Sequence, residues 1–437
     1  MSISNSAASA AGTRRPDGTH RVVVTGMGAV TPAGVGVTAL WDALMQKKCC
    51  IGPITRFEAT DFEVKCAGQV PDFDAVANGL TKKEARRFDL FVQYAIVAAD
   101  EALAQSGLVM EQEDAARVGV SFGSGIGGID TIQQGVLTLA EKGPRKVSPL
   151  LVPTMISNMA AGNLAIRYGM KGECVNVVTA CATGTHCIGH AVRSIRHGYA
   201  DVMLAGGSEA SVNSISVAGF ANLGALSKST DPQRASRPFD KDRAGFVAGE
   251  GAGALILESL EHAQARGAHI LAEITGFGST GDAYHMTSPD PKAEGVARAM
   301  EQALEEGGFT PADLGHLNAH GTGTSANDKT ESAALLRLCG QENGRKIPVT
   351  SVKGALGHML GAAGAVEAIA TVLSVSQSCV PPTCGFDQPD DQTNVNVAQR
   401  LLMNVPQKVA LSNSLGFGGH NACLAISPYV PDAGKGE

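Results

Sequence analysis

The sequence predicts an α/β protein assembled from a duplicated unit. Three observations point there. Strands of β-branched and aliphatic residues repeatedly end in glycine loops, a strand followed by a tight turn and a helix of small residues occurs twice, and both occurrences follow a strand that runs into a glycine loop. The first copy is 117–128 followed by 175–196, and the second is 314–328 followed by 347–373.

Residues 21–28, RVVVTGMG, read as a first strand ending in glycines, and 38–46 as a short helix carrying Trp41. Residues 81–106 read as one long helix with Phe88, Phe91, Val92, Ala95, Ile96, Ala99 and Leu103 on its apolar face. Lys82, Lys83, Arg86 and Arg87 crowd its start, either as a solvated face or as a docking patch for an acidic partner. Within 173–196 the run Val175, Val177, Val178, Thr179 reads as a buried strand, and Ile188, Ala191, Val192 and Ile195 recur at helical spacing. Cys181 lies between them, where the N–H groups and dipole of the helix start favour a thiolate. That stretch alone fits both a nucleophile and a small buried hydrophobe. Further strands are expected at 200–207, 269–278 and 408–427, two strands about a glycine turn at 245–258, and a helix at 291–307. Close packing of two small-residue helices accounts for GAAGA at 361–365. The expected organisation is a small, polar, disordered tail over 1–20, one half over 21–270 and a second over 271–430. Cys181, His320 and His358 then fall at corresponding strand ends, where open α/β sheets bind ligands.

Composition narrows the function. The 437 residues are 44% hydrophobic and 18% charged, as in an ordinary globular protein. A net charge of −7 and only 4% aromatics argue against a general nucleic-acid binder. The ten cysteines include no C-x-x-C pair, so no metal framework is expected, and without a secretory signal they read as reduced thiols of a cytoplasmic protein. No apolar run is long enough to cross a bilayer. The loop after residue 26 is interrupted by Pro32. GSGIGG at 123–128 meets the dinucleotide spacing but lacks the acidic residue that should follow, so a backbone loop lining a pocket is the better reading.

His186, His190, His197, His262, His269 and His316 carry no distinguishing context, whereas His320 and His358 lie in glycine-rich loops, NAHGTGT and KGALGHMLGAAG. One cysteine and two histidines suit acyl transfer: a thiolate takes the acyl group, and neutral imidazoles stabilise an oxyanion or enolate. Backbone N–H groups at Cys181 and in 416–419 are candidates for an oxyanion hole. Lys353 reads either as a surface lysine or as a charge that tunes this cluster. No G-x-S-x-G elbow occurs, and Ser208 in GGSEA sits in no such frame.

TACATGTHCIGHA, NAHGTGT, SVKGALGHMLGAAGAVE and NSLGFGGHN together resemble the β-ketoacyl-[acyl-carrier-protein] synthases of the thiolase superfamily, and most of all the elongating synthase II type. The resemblance spans about 21–427 and implies a thiolase-like five-layered αβαβα fold of two duplicated α/β halves, and a homodimer. It also implies a decarboxylative Claisen condensation of acyl- with malonyl-[acyl-carrier-protein], as chain elongation in fatty acid biosynthesis or as the ketosynthase of a dedicated polyketide-like pathway. No cofactor beyond the carrier's phosphopantetheine arm, no nucleic acid and no membrane insertion are implied. Carried across residue by residue, Cys181 accepts the acyl chain, and His320 and His358 promote decarboxylation. Lys353 supports them beside Glu331 and Glu367, with Asp328 also kept. Phe417 gates the site, its N–H joining that of Cys181 in the oxyanion hole. Ile126 and Phe220 line the acyl pocket, Thr322 and Thr324 hold the phosphopantetheine arm, and Lys83, Arg86, Arg87, Arg145 and Lys146 dock the acidic carrier protein. The chain departs from the family pattern at His420 (usually threonine), at Leu415 (often phenylalanine), at Gly224 (often a docking arginine, for which Lys228 is the nearest substitute) and in HGTGTSANDKTE.

Overall fold

Ten strands carry the architecture, in two sets of five. The structure is a computed structural model and describes residues 12–431. The first set is β1 (Val22–Thr31), β2 (Val118–Gly123), β3 (Cys174–Val175), β4 (Val202–Glu209) and β5 (Gly251–Ser259). The second is β6 (Ala272–Gly281), β7 (Leu314–Asn318), β8 (Pro348–Thr350), β9 (Val409–Gly416) and β10 (His420–Ser427). Side by side they run β3-β2-β4-β5-β1 and β8-β7-β9-β10-β6. In both sets the first two pairings are parallel and the last two antiparallel. Order and direction match strand for strand, as a duplicated unit requires. The sets join edge to edge where Val23 and Val24 of β1 pair with Glu273 and Ala272 of β6.

Alternation along the strands builds the layers. In β4, Val202 and Leu204 face an outer apolar cluster with helices α1 (Leu90–Ser106) and α2 (Met159–Tyr168), whereas Met203 and Ala205 face a central one. The central cluster holds α3 (Thr183–Arg196) and the second-half helix that corresponds to it. In β9, Val409 and Leu411 face a third cluster built on α4 (Glu294–Gly307) and α5 (Ser325–Cys339), whereas Ala410 faces the centre. The central partner of α3 is α6 (Ala363–Ser376). Helices, sheet, paired central helices, sheet and helices make five layers. The central pair touch through small residues: a Cβ on Gly184 would lie 2.9 Å from the backbone of Ala365, and one on Gly364 only 2.0 Å from Oγ1 of Thr185.

Four local expectations are corrected. The helix expected over 81–106 is two helices, Lys82–Arg87 and α1, broken where Phe88 is extended and the Asp89 side chain caps the Phe91 N–H. Residues 245–258 are not a hairpin: β5 is one strand that pairs with both β1 and β4. The strand expected at 175–179 is reduced to β3 at the sheet edge, and Val178 is exposed. Residues 1–11 of the expected tail lie outside the described residues, but 12–20 are held in place. Arg14 pairs with His20 across a turn, Arg15 donates to the carbonyls of Thr275 and Glu306, and His20 meets Glu261 at 2.9 Å.

Candidate active site

Cys181 sits in a single 3-10 turn, Ala180–Ala182, immediately ahead of α3. Ala180 takes a φ of 50°, a left-handed conformation that alanine adopts only under constraint. The same turn recurs at Leu360–Ala362 ahead of α6, with Leu360 at φ 46° and Gly361 in the cysteine's place. The turn that carries Cys181 is therefore a feature of the duplicated unit, with a thiol in one half only.

Cys181, His320, His358 and Phe417 line one cavity of about 240 Å³, together with Phe220, Thr322 and Thr324. The rings of His320 and His358 lie 5.1 Å apart and nearly perpendicular, at 86°. Burial, and then the charge of Lys353, holds both well below the usual histidine range, so both are neutral. Nδ1 of His358 accepts the Leu360 N–H at 3.3 Å, which puts the ring proton on Nε2. Nδ1 of His320 has no partner among the described residues. Phe246, which carries no sequence signal of its own, sets its ring edge-on to His358 at 5.3 Å.

The thiol departs from expectation. Burial pushes Cys181 up to about 12; Lys353 opposes this, Glu209 adds to it, and the N–H groups of Phe417 and Cys181 pull it down. The helix start does not make a resting thiolate here, because desolvation outweighs the dipole. What the geometry supplies is a pair of N–H groups, from Phe417 and Cys181, gathered at Sγ.

Around this centre the supporting carboxylates are fixed by backbone. Glu331 accepts the N–H groups of His320 at 2.7 Å and Gly321 at 2.8 Å, and Nδ2 of Asn413 at 3.2 Å. Burial raises it to about 7 against those donors. Asp328 accepts the N–H groups of Phe239 at 2.7 Å and Gly323 at 3.2 Å, which holds the loop where the hydroxyls of Thr322 and Thr324 meet at 2.9 Å. Lys353 is no surface lysine: it is 1% exposed and pairs with buried Glu367. Phe417 faces Phe220 with ring centres 6.4 Å apart. Ile126 packs in the same apolar cluster as Cys181 and Phe220 but is not among the residues that line the cavity.

Of the basic residues, Arg86, Arg87 and Lys146 border one surface depression, and Lys83 and Arg145 belong to the same two segments, Lys82–Arg87 and Pro144–Lys146. Lys228 pairs with Glu63, both side chains being exposed, and Gly224 lines the cavity. Leu415 also lines it, and His420 lies edge-on to His186 at 6.4 Å, with its ring 3.1 Å from where a Cβ on Gly418 would stand. Among the described residues no three His, Cys, Asp or Glu side chains are grouped to hold a metal. The main residue without a sequence signal is Glu209, buried and bonded to both halves.

Comparison with known proteins agrees with this geometry. The family models for the N-terminal and C-terminal domains of beta-ketoacyl synthase match residues 19–263 and 271–387. The 3-oxoacyl-[acyl-carrier-protein] synthase 2 of Vibrio harveyi is 49% identical over 93% of this chain and 98% of its own. That of Synechocystis is 46% identical over 94% and 98%. Among solved structures, a type II polyketide ketosynthase in complex with its acyl-carrier protein superposes with a TM-score of 0.86 at 33% identity, covering 94% of this chain and 100% of that one. A beta-ketoacyl synthase from Burkholderia phymatum gives 0.87 at 34% identity with the same coverage. With 93–94% of the chain matched by these relatives and the cysteine and two histidines converging on one cavity, the chain belongs to the beta-ketoacyl synthase family.

Proposed function

We propose that the protein condenses acyl-[acyl-carrier-protein] with malonyl-[acyl-carrier-protein], giving 3-oxoacyl-[acyl-carrier-protein], CO2 and free carrier protein, as the elongation step of fatty acid biosynthesis. The observation that carries this is the meeting of Cys181, two neutral histidines and two convergent N–H groups in one largely apolar cavity. Sγ of Cys181 attacks the acyl thioester, and the N–H groups of Cys181 and Phe417 take the charge that develops on the carbonyl oxygen. The thiol proton ends on the departing carrier thiol. Malonyl thioester then loses CO2, and the resulting enolate oxygen is stabilised by Nε2–H of His358 and by His320. Its carbon attacks the acyl-Cys181 thioester and expels Sγ as a thiolate, which takes up one proton from solvent to restore the resting thiol. Neutral imidazoles suit this step because they donate without carrying a charge that the site would have to solvate.

Lys353 holds positive charge near both histidines, and Glu367 balances it. Thr322 and Thr324 sit where a phosphopantetheine arm would pass, Phe417 and Phe220 form a movable apolar wall, and Ile126 backs the acyl pocket. An acidic carrier protein docks on Lys83, Arg86, Arg87, Arg145 and Lys146. The protein works as a cytoplasmic homodimer without a bound cofactor of its own. Val136, Leu137, Leu139, Val152, Ile156 and Val178 are exposed apolar residues, and the edge of β3 is open to pairing. No helix among the described residues is long and apolar enough to cross a membrane. The solved type II polyketide ketosynthase at 33% identity supports a second reading, elongation in a polyketide-like pathway.

Mass spectrometry after incubation with acyl-carrier proteins of graded chain length tests the proposal. An acyl adduct on Cys181, absent from Cys181→Ala and kept in Cys187→Ala, is expected. Condensation that survives in Cys181→Ala would overturn it.

A further inference from the structure

The duplication makes one comparison available that no single half offers. β4 and β9 are both eight residues long and hold the same place in their sheets, so Glu209 and Gly416 are counterparts at their last positions. Likewise Cys181 and Gly361 are counterparts, each following a left-handed residue, Ala180 or Leu360. The two halves treat these positions in opposite ways. Oε2 of Glu209 accepts the Gly361 N–H at 3.0 Å and the Gly125 N–H at 3.0 Å; Oε1 accepts Ser124 Oγ at 2.8 Å and the Ile126 N–H at 3.2 Å. A carboxylate, which has the shape and charge of an oxyanion, thus fills the second-half turn. At Gly416 there is no side chain, and a Cβ built there would lie 2.4 Å from the Thr179 carbonyl and 3.4 Å from the Cys181 nitrogen. No side chain at Gly416 competes with a substrate for the Cys181 N–H.

The Gly125 loop is wedged between the two turns. A Cβ on Gly125 would lie 3.2 Å from the Ala180 carbonyl, and one on Gly361 only 2.4 Å from the Gly125 nitrogen. Movement of residues 125–126 is therefore felt at Ala180, next to Cys181, and in the apolar cluster that Ile126 shares with Cys181 and Phe220. We infer that Glu209 is a positioning residue: its carboxylate permanently occupies the second half's counterpart of the oxyanion hole and thereby fixes the Gly125–Ile126 wall against Cys181, while bare Gly416 keeps the working hole empty for substrate. This role rests on the acyl-enzyme function proposed above.

The experiment is acylation of the full-length enzyme by butyryl- and dodecanoyl-carrier protein, with and without sodium formate, in Glu209→Ala and Glu209→Gln. In Glu209→Ala, four donors surround a void of carboxylate size. Dodecanoyl transfer is expected to slow by about tenfold or more relative to butyryl transfer, and formate to restore the ratio. Glu209→Gln fills the void and turns an N–H donor on other donors, so the same shift is expected without rescue. It decides the matter if the alanine variant does not fold. An unchanged chain-length ratio in the glutamine variant, or a shifted ratio in the alanine variant that formate leaves untouched, overturns the role of Glu209. Failure of the unaltered enzyme to acylate Cys181 overturns the function instead, so the two failures are distinct.

Discussion

The ammonium of Lys353 and the carboxylate of Glu367 meet where neither side chain keeps more than 1% of its exposure. Lys353 lies in the helix Lys353–Leu356 and Glu367 in α6, so the pair ties the histidine-bearing loop to the central helices. Such a pair offsets two desolvation costs only while both partners remain. Removing one leaves a buried charge at a cost of about 3–5 kcal/mol, whereas an apolar pair of similar volume is often tolerated. Glu367→Ala is therefore expected to lower the denaturant midpoint far more than Lys353→Met/Glu367→Leu. The double variant should still acylate Cys181 yet lose malonyl decarboxylation, since the charge near His320 and His358 is gone. Equal destabilisation by the single and double changes would contradict this account.

The pairing also marks what the sequence reveals and where it stops. The small-residue turn at Cys181, the loop at His320 and the GAAGA helix are legible because each is a local requirement for close backbone approach. Matching them by eye already recovers the duplication. The burial of Lys353 is not legible in the local pattern, because Glu367 lies fourteen residues on in another helix and only the family resemblance set the two side by side. The helix break at Phe88 is hidden because the apolar period runs on through it and Asp89 announces itself only by capping. β3 fails as a buried strand because β-branched residues also suit a sheet edge. Glu209 is invisible alone and becomes visible only beside Gly416.

The thiol at about 12 makes a prediction about pH. A group whose neutral form dominates until such a value gains thiolate by about tenfold for each unit of rising pH across the neutral range. Iodoacetamide alkylation of Cys181 in the free enzyme should climb steadily from pH 6.5 to 9 with no plateau. A plateau beginning near pH 7 would mean a stabilised resting thiolate and return the helix dipole to the leading role.

The carrier docking proposed for Arg86, Arg87 and Lys146, which border one depression, predicts a salt-sensitive encounter with little effect on chemistry. Arg87→Glu is expected to raise KM for acyl-carrier protein by about tenfold while leaving kcat within about twofold, and to flatten the dependence of kcat/KM on ionic strength. Titration with a small acyl-pantetheine, which has no acidic protein attached, should show no difference between the variant and the parent. A KM change with that small substrate would place the effect in the cavity and not at the docking face.

His262 gives a stability test independent of catalysis. Its Nδ1 meets Glu258 at 2.6 Å and its Nε2 meets Glu113 at 2.8 Å, and the bond to Glu258 raises its pKa above the usual 6.5. A raised folded-state value means that protonated His262 favours the native state. The contribution is complete below pH 6.5, where the unfolded chain is also protonated, and is lost as pH rises through the folded value. His262→Gln should therefore lower Tm most at pH 5.5, where Glu258, held down to about 2, is still ionised. The gap between variant and parent should narrow toward pH 9. A gap that widens with pH would reverse the sign of the coupling and show that the neutral imidazole is the form the fold prefers.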